Sequence, residues 1–291
     1  MQKRKIIQVV NAIRTLEGGG FPVRRPFPIA GLLDVDPFLL LDHLGPVNWG
    51  PGEGIGAPDH PHRGFETVTY LLSGEIEHKD SAGHSGKLAP GDVQWMTAGS
   101  GVVHSELPSE SFMRDGGTMH GFQVWINLPA KDKMISPRYQ EIPASDIPVA
   151  HDEDGLVSVR VIAGKALGIE AVIDTHTPII YLHYTLHPGG SVEQEIPSDH
   201  NALVYVVSGE ATLGINKKKL SEGQLGTMST GDSLLLKNAD NASQPVELLI
   251  LAGIPIGESL VRHGPFVMNT DEEIRQAIDD YRTGKMGTIE Q

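Results

Sequence analysis

The chain has 291 residues, with 37 acidic against 23 basic side chains for a formal net charge of −14, and no cysteine. This length can bury one large core or two ordinary ones, and the missing cysteine excludes disulfide scaffolds, thiolate zinc sites, iron–sulfur ligation and a cysteine nucleophile, as suits a reducing compartment. The acidic excess disfavours direct contact with DNA, RNA or anionic lipid, because such binding rests on Lys and Arg neutralising phosphates.

Along the chain, the basic start Met1–Lys5 is followed only by Ile6, Ile7, Val9 and Val10 before Asn11. That run is too short for the apolar region of a secretion signal. Strand-like segments rich in β-branched and aromatic residues then recur at Thr67–Leu72, Val93–Thr97, Phe122–Leu128, Val157–Ala163, Ile179–Leu186, Leu203–Ser208, Ala211–Ile215, Ser233–Leu236 and Leu248–Ala252. The longest apolar stretch, around Leu248–Ile256, falls far below the roughly 18 residues of a membrane span. A cytoplasmic, all-β protein without membrane contact is expected. One segment differs: Thr270-Asp-Glu-Glu273 is a capping box, with Ile274, Ala277, Ile278 and Tyr281 at helical spacing and Gly284 as a stop, which predicts a short C-terminal helix.

Two stretches repeat one unit. Tyr70-Leu-Leu-Ser-Gly-Glu75 matches Tyr205-Val-Val-Ser-Gly-Glu210, and Pro90-Gly-Asp-Val93 matches Thr230-Gly-Asp-Ser233. Two related β-barrels are the simplest account. Their boundary is expected within Pro129–Gly155, where strand signals lapse and Pro137, Pro143 and Pro148 cluster, giving domains of residues 1–135 and 136–291, the second carrying the helix.

The strongest chemical signal is His60-Pro-His62 with His104-Ser-Glu106. Residues two apart on a strand share a face, so both pairs can point into one barrel. Three imidazoles and a carboxylate suit a divalent ion such as iron, manganese, cobalt, nickel or copper, and leave two positions of an octahedron open for substrate or dioxygen.

The run His60-Pro-His-Arg-Gly-Phe-Glu-Thr67, with Gly91-Asp-Val-Gln-Trp-Met-Thr-Ala-Gly99, His104-Ser-Glu106 and His263-Gly-Pro-Phe-Val-Met-Asn-Thr270, resembles the pirin family of the cupin superfamily. The resemblance implies a bicupin, two face-to-face β-barrels of the double-stranded β-helix type, with iron in the N-terminal barrel and no metal in the C-terminal one. It implies His60, His62, His104 and Glu106 as metal ligands, Fe2+ as the metal ahead of Mn2+, Ni2+, Co2+ and Cu2+, and a monomer. In the wider superfamily the carboxylate ligand lies four residues after the second histidine, here Glu66. The pirin pattern makes Glu106 the ligand, and Glu66 is then expected to hydrogen-bond a ligand histidine.

The residues themselves also separate the halves. Aligning Gly74 with Gly209 places Glu195 and Pro197 where His60 and His62 stand, and nothing after Gly231-Asp-Ser matches His104. His200 reads as a turn residue, and the single histidines His43, His78, His84 and His120 as surface or hydrogen-bonded core positions. Arg63 and Phe65 either line the cavity mouth or pack structurally. Trp95 and Trp125 read as core, and Lys217-Lys-Lys219 as a solvated hairpin tip rather than a nucleic-acid patch.

The resemblance implies a metal-dependent dioxygenase, sharpened to a quercetin 2,3-dioxygenase that opens a flavonol with dioxygen and releases carbon monoxide, with Glu106 as catalytic base. The alternative is a redox-responsive iron protein that regulates transcription factors or metabolic enzymes through protein contacts.

Overall fold

The computed structural model describes residues 2–289; Met1, at the head of the basic start, and Glu290 and Gln291 lie outside it. The expected all-β class holds, and the helix predicted at the capping box spans Asp271–Arg282. Thr270 Oγ1 accepts from Glu273 N at 3.2 Å while Glu273 Oε2 accepts from Thr270 N at 2.9 Å, closing the box reciprocally. Among the described residues no helix is long and apolar enough to cross a membrane.

The chain divides into two compact units, and neither is a contiguous half. One comprises residues 14–25, 38–144 and 256–291; the other comprises 1–13, 26–37 and 145–255. The division at 144/145 falls inside the predicted boundary stretch, but both ends of the chain are assigned differently from the expected domains 1–135 and 136–291. The strand Ile6–Asn11 extends the sheet of the second unit by pairing antiparallel with Gln224–Met228. The C-terminal helix belongs to the first unit, because Ile274 and Ala277 on its apolar face are buried with Val103, Phe266, Met268 and Met286.

The first unit contains a seven-stranded sheet, ordered Arg138–Ile142, Val93–Thr97, Phe65–Ser73, Gly117–Asn127, Phe38–Trp49, Phe21–Phe27 and Ile13–Glu17. A four-stranded sheet, ordered Ala57–His62, Val102–Pro108, Ile76–Asp80 and Ser85–Leu88, faces it. The second unit repeats the plan, with seven strands and four strands around an aliphatic core that includes Leu182, Val204, Leu236 and Ile250.

The strand that carries His60 and His62 is pinned from behind by the C-terminal segment. Arg63 N donates to Pro265 O at 3.3 Å, and Val267 N donates to Arg63 O at 3.1 Å. Gly64, at φ +87°, lies so close to this segment that a Cβ would sit 2.0 Å from Val267 O, which explains why glycine follows the motif. Arg63 is therefore a structural residue and not part of a cavity mouth: it is 5% exposed, with Nε on Ser100 O at 2.7 Å and Nη1 on Asp280 Oδ2 at 2.9 Å. Hydrogen bonds from Lys285, Gln276 and Arg63 hold the Asp280 carboxyl down at about 2. Its contribution is present above the ordinary Asp range and is lost as pH falls from about 4 to 2. Asp280→Asn is expected to cost about 3 kcal/mol by leaving Arg63 buried without its counter-charge, and to flatten the acid limb of the stability profile in chemical denaturation.

Candidate metal centre

The strands Ala57–His62 and Val102–Pro108 run antiparallel with His104 opposite His60 and Val102 opposite His62. The register then slips, so that Glu106 lies opposite Ala57, and the extra residue bends the strand ahead of the motif. In that bend His60 Nδ1 meets Pro58 O at 2.7 Å, which places the proton on Nδ1 and frees Nε2 as a donor atom. The three imidazoles converge: ring centroids are 4.4 Å apart for His60–His104, 4.7 Å for His60–His62 and 5.0 Å for His62–His104. One ligand atom from each lies within 4.8 Å of the other two.

Glu106, the expected fourth ligand, is not among the residues whose ligand atoms lie within 4.8 Å of one another; its carboxylate is held from the opposite sheet, accepting from Thr69 Oγ1 at 2.9 Å and Gln123 Nε2 at 3.0 Å. Thr69 and Gln123 are direct cross-strand neighbours, so one register places both donors. Glu66 is buried in the seven-stranded sheet, where its Oε1 accepts from Thr97 Oγ1 at 2.7 Å.

The electrostatics favour metal-competent forms. Burial lowers His62 well below the ordinary histidine range, with His104 and His60 adding to the effect. Burial likewise takes His104 down to about 4. For Glu106 burial acts upward, but His104, His60 and the hydrogen bonds from Thr69 and Gln123 more than offset it and hold the carboxyl low. His62 and His104 are thus neutral donors and the glutamate is ionised.

The site also passes a test of fit. His62 Nδ1 and both ring nitrogens of His104 are buried without a hydrogen-bond partner among the described residues. Leaving such atoms unpaired is costly, and a divalent ion would take up the donor nitrogens. The donors are imidazole nitrogen with carboxylate oxygen nearby, a set suited to iron and its neighbours in the first transition row.

Several neighbours escape motif reading. His78 lies directly opposite Glu106 and Asp80 opposite His104, so both share a face with these two candidate ligands. His78 bonds Glu141, Asp80 bonds the His84 ring at 2.9 Å, and Tyr139 stacks on His78 at 5.2 Å between centroids. The signal available for them was strand parity relative to His104. Phe65 and Trp125 wall the site: both rings lie against His62, at 5.1 and 5.3 Å. Of the remaining single histidines, His43 and His120 meet one another at 2.7 Å, and neither joins the cluster.

The profile described as Pirin matches residues 20–126, and that described as Pirin C-terminal cupin domain matches residues 181–287. A pirin-like protein of Solanum lycopersicum is 45% identical over 285 residues, covering 98% of this chain and 93% of its own length. Pirin of Homo sapiens is 42% identical over 287 residues, covering 98% and 94%. A crystal structure of quercetin 2,3-dioxygenase from Acinetobacter baumannii superposes with a TM-score of 0.91 at 39% identity, covering 100% of both chains. This structural likeness makes the two barrels a bicupin. With its histidine-lined barrel, a profile match in each half and relatives aligned along nearly the whole length, the chain belongs to the pirin family.

Proposed function

We propose that the chain is a metal-dependent dioxygenase of flavonols, a quercetin 2,3-dioxygenase that opens the heterocycle with dioxygen and releases carbon monoxide. The observation that carries this reading is the convergence of His60, His62 and His104, in a chain 39% identical to a quercetin 2,3-dioxygenase over its full length. His60, His62, His104 and Glu106 hold the metal, with iron(II) the first candidate and manganese, nickel, cobalt and copper the alternatives. When bound, the metal supplies the Lewis-acid and one-electron chemistry that lets dioxygen react with an electron-rich substrate.

The chain's own residues do the rest. Glu106 is the base that takes the proton of the substrate hydroxyl, and Thr69 and Gln123 keep its carboxylate aimed while it does so. His60 is half-buried whereas His62 and His104 are 3% and 0% exposed, so substrate approaches from the His60 side. Phe65 and Trp125 pack against His62 and keep water from the opposite wall. Protein loaded anaerobically with iron(II) is expected to consume quercetin and oxygen in equal amounts with release of carbon monoxide. Absence of turnover with iron, manganese, nickel, cobalt and copper in turn overturns the reading. The regulatory alternative keeps the same metal centre in a chain 42% identical to Homo sapiens pirin; a protein partner bound in only one oxidation state of iron, without turnover, selects it.

A further inference from the structure

The second unit has lost the metal ligands but has kept a cavity. About 880 Å³ opens against the strand Ser191–Glu195 and the hairpin Lys165–Ala166/Ile169–Glu170, with Glu195 and Pro197, the counterparts of His60 and His62, in its wall. This volume is that of a small-molecule site.

The walls are rigidly built. Gln194 is buried, accepts from the Tyr184 hydroxyl, and donates to Lys165 O at 3.1 Å and Glu195 O at 2.6 Å, so one amide ties the hairpin to the strand. The buried Arg4 guanidinium donates to Pro197 O at 2.6 Å, His200 O at 3.0 Å and Ser229 O at 3.0 Å, which fixes the 197–200 loop. Neither group has to reorganise when a ligand enters.

The polar groups on the wall are unequally engaged. Lys165 pairs with Glu170 at 3.1 Å, Glu193 takes Lys3 at 2.6 Å and Ser233, and Asp232 accepts from Gln2 N at 2.7 Å. Asp174 has a partner of its own. Two acceptors remain. Glu195 is an exposed residue at the cavity rim, and among the described residues its only side-chain-mediated hydrogen bond is the one its backbone oxygen accepts from Gln194. His200, 7% exposed, also lines the cavity and directs Nδ1 to Asp199 Oδ1 at 2.8 Å, so that Nε2 is the ring nitrogen not used in that bond. Lys165 is the sole cation on a wall that carries Glu170, Asp174, Glu193, Glu195 and Asp232. Ile173, Ile180 and Ile196 supply its apolar part.

We propose that this cavity binds a small organic cation, an amine with an apolar body, whose ammonium donates to Glu195 and His200 Nε2 while its hydrocarbon part lies on the isoleucines. The site is independent of the metal centre and of the reaction assigned to it. The test is calorimetric titration of the full chain with phenethylammonium, 2-phenylethanol and 3-phenylpropionate. The ammonium should bind saturably, the alcohol at least about tenfold more weakly, and the carboxylate not at all, as charge-assisted hydrogen bonding to an acidic wall requires. Glu195→Gln should weaken the ammonium about tenfold without moving the melting temperature, and the His60→Ala/His104→Ala variant should bind it as wild type does. No saturable ammonium binding, equal binding of the alcohol or carboxylate, unchanged affinity in Glu195→Gln, or loss of binding in the metal-site variant each overturns the proposal.

Discussion

Replacing His104 by alanine should take the metal content from about one ion per chain to background, and turnover with it. His104 faces both other imidazoles, and its two buried nitrogens have no protein partner among the described residues to replace a metal. The effect should be read twice, by metal analysis of protein purified without nickel affinity resin and by melting with and without added iron(II). Saturating metal at about 100 times its dissociation constant stabilises the native chain by about 2.7 kcal/mol, and that increment should vanish in the variant. His60→Ala, at a half-buried position, should lose the same increment with less damage to the metal-free fold. The carboxylates separate in the same assay. Glu106→Gln should lose metal while Glu66→Gln retains it, and the opposite pattern would move the ligand to Glu66.

The second large effect lies outside the metal group. Lys133 is 1% exposed, and its ammonium donates to Gly64 O at 2.7 Å, Asn127 Oδ1 at 2.6 Å and Val267 O at 3.1 Å. It thereby joins the turn after His62, the end of the strand Gly117–Asn127 and the C-terminal segment. Lys133→Met keeps the stem but strips three buried oxygens of their donor, so unfolding free energy should fall by about 3 to 5 kcal/mol. A pH signature goes with it. Burial lowers the Lys133 ammonium to about 8 from an ordinary value of 10.5. Below pH 8 both folded and unfolded chains hold the proton and the group contributes no slope. Between about 8 and 10.5 the unfolded chain retains a proton that the folded chain has released, so stability from this group rises with pH. Denaturation midpoints of wild type minus variant should therefore widen over that interval; a constant or narrowing gap contradicts the low value.

The histidine cluster was legible because its information is local. His60 and His62, and His104 and Glu106, are two apart, and strand parity alone places each pair on one face. The C-terminal helix was legible for the same reason, since Thr270 and Glu273 cap within a single turn. Lys133 was not legible, because its acceptors lie at residues 64, 127 and 267 and leave no spacing pattern. Arg63 was ambiguous until its partner Asp280 was placed beside it. His78 read as a single histidine, and only the register against Val102–Pro108 places it opposite Glu106. The exchange of terminal segments was invisible because strand and helix signals state what a segment forms, not which sheet or core receives it.

That exchange bears on how the protein is made. A ribosome releases the N-terminal part first, at roughly 5 to 20 residues per second. The segment carrying all four proposed ligands is complete by residue 106, yet Pro265, Val267 and Asp280, which clamp it, are synthesised only after the strands of the second barrel. The nascent barrel must therefore wait for the second barrel to be translated before its own back wall arrives. Metal loading should accordingly be a late event, following synthesis of the clamping segment instead of accompanying emergence of the histidines.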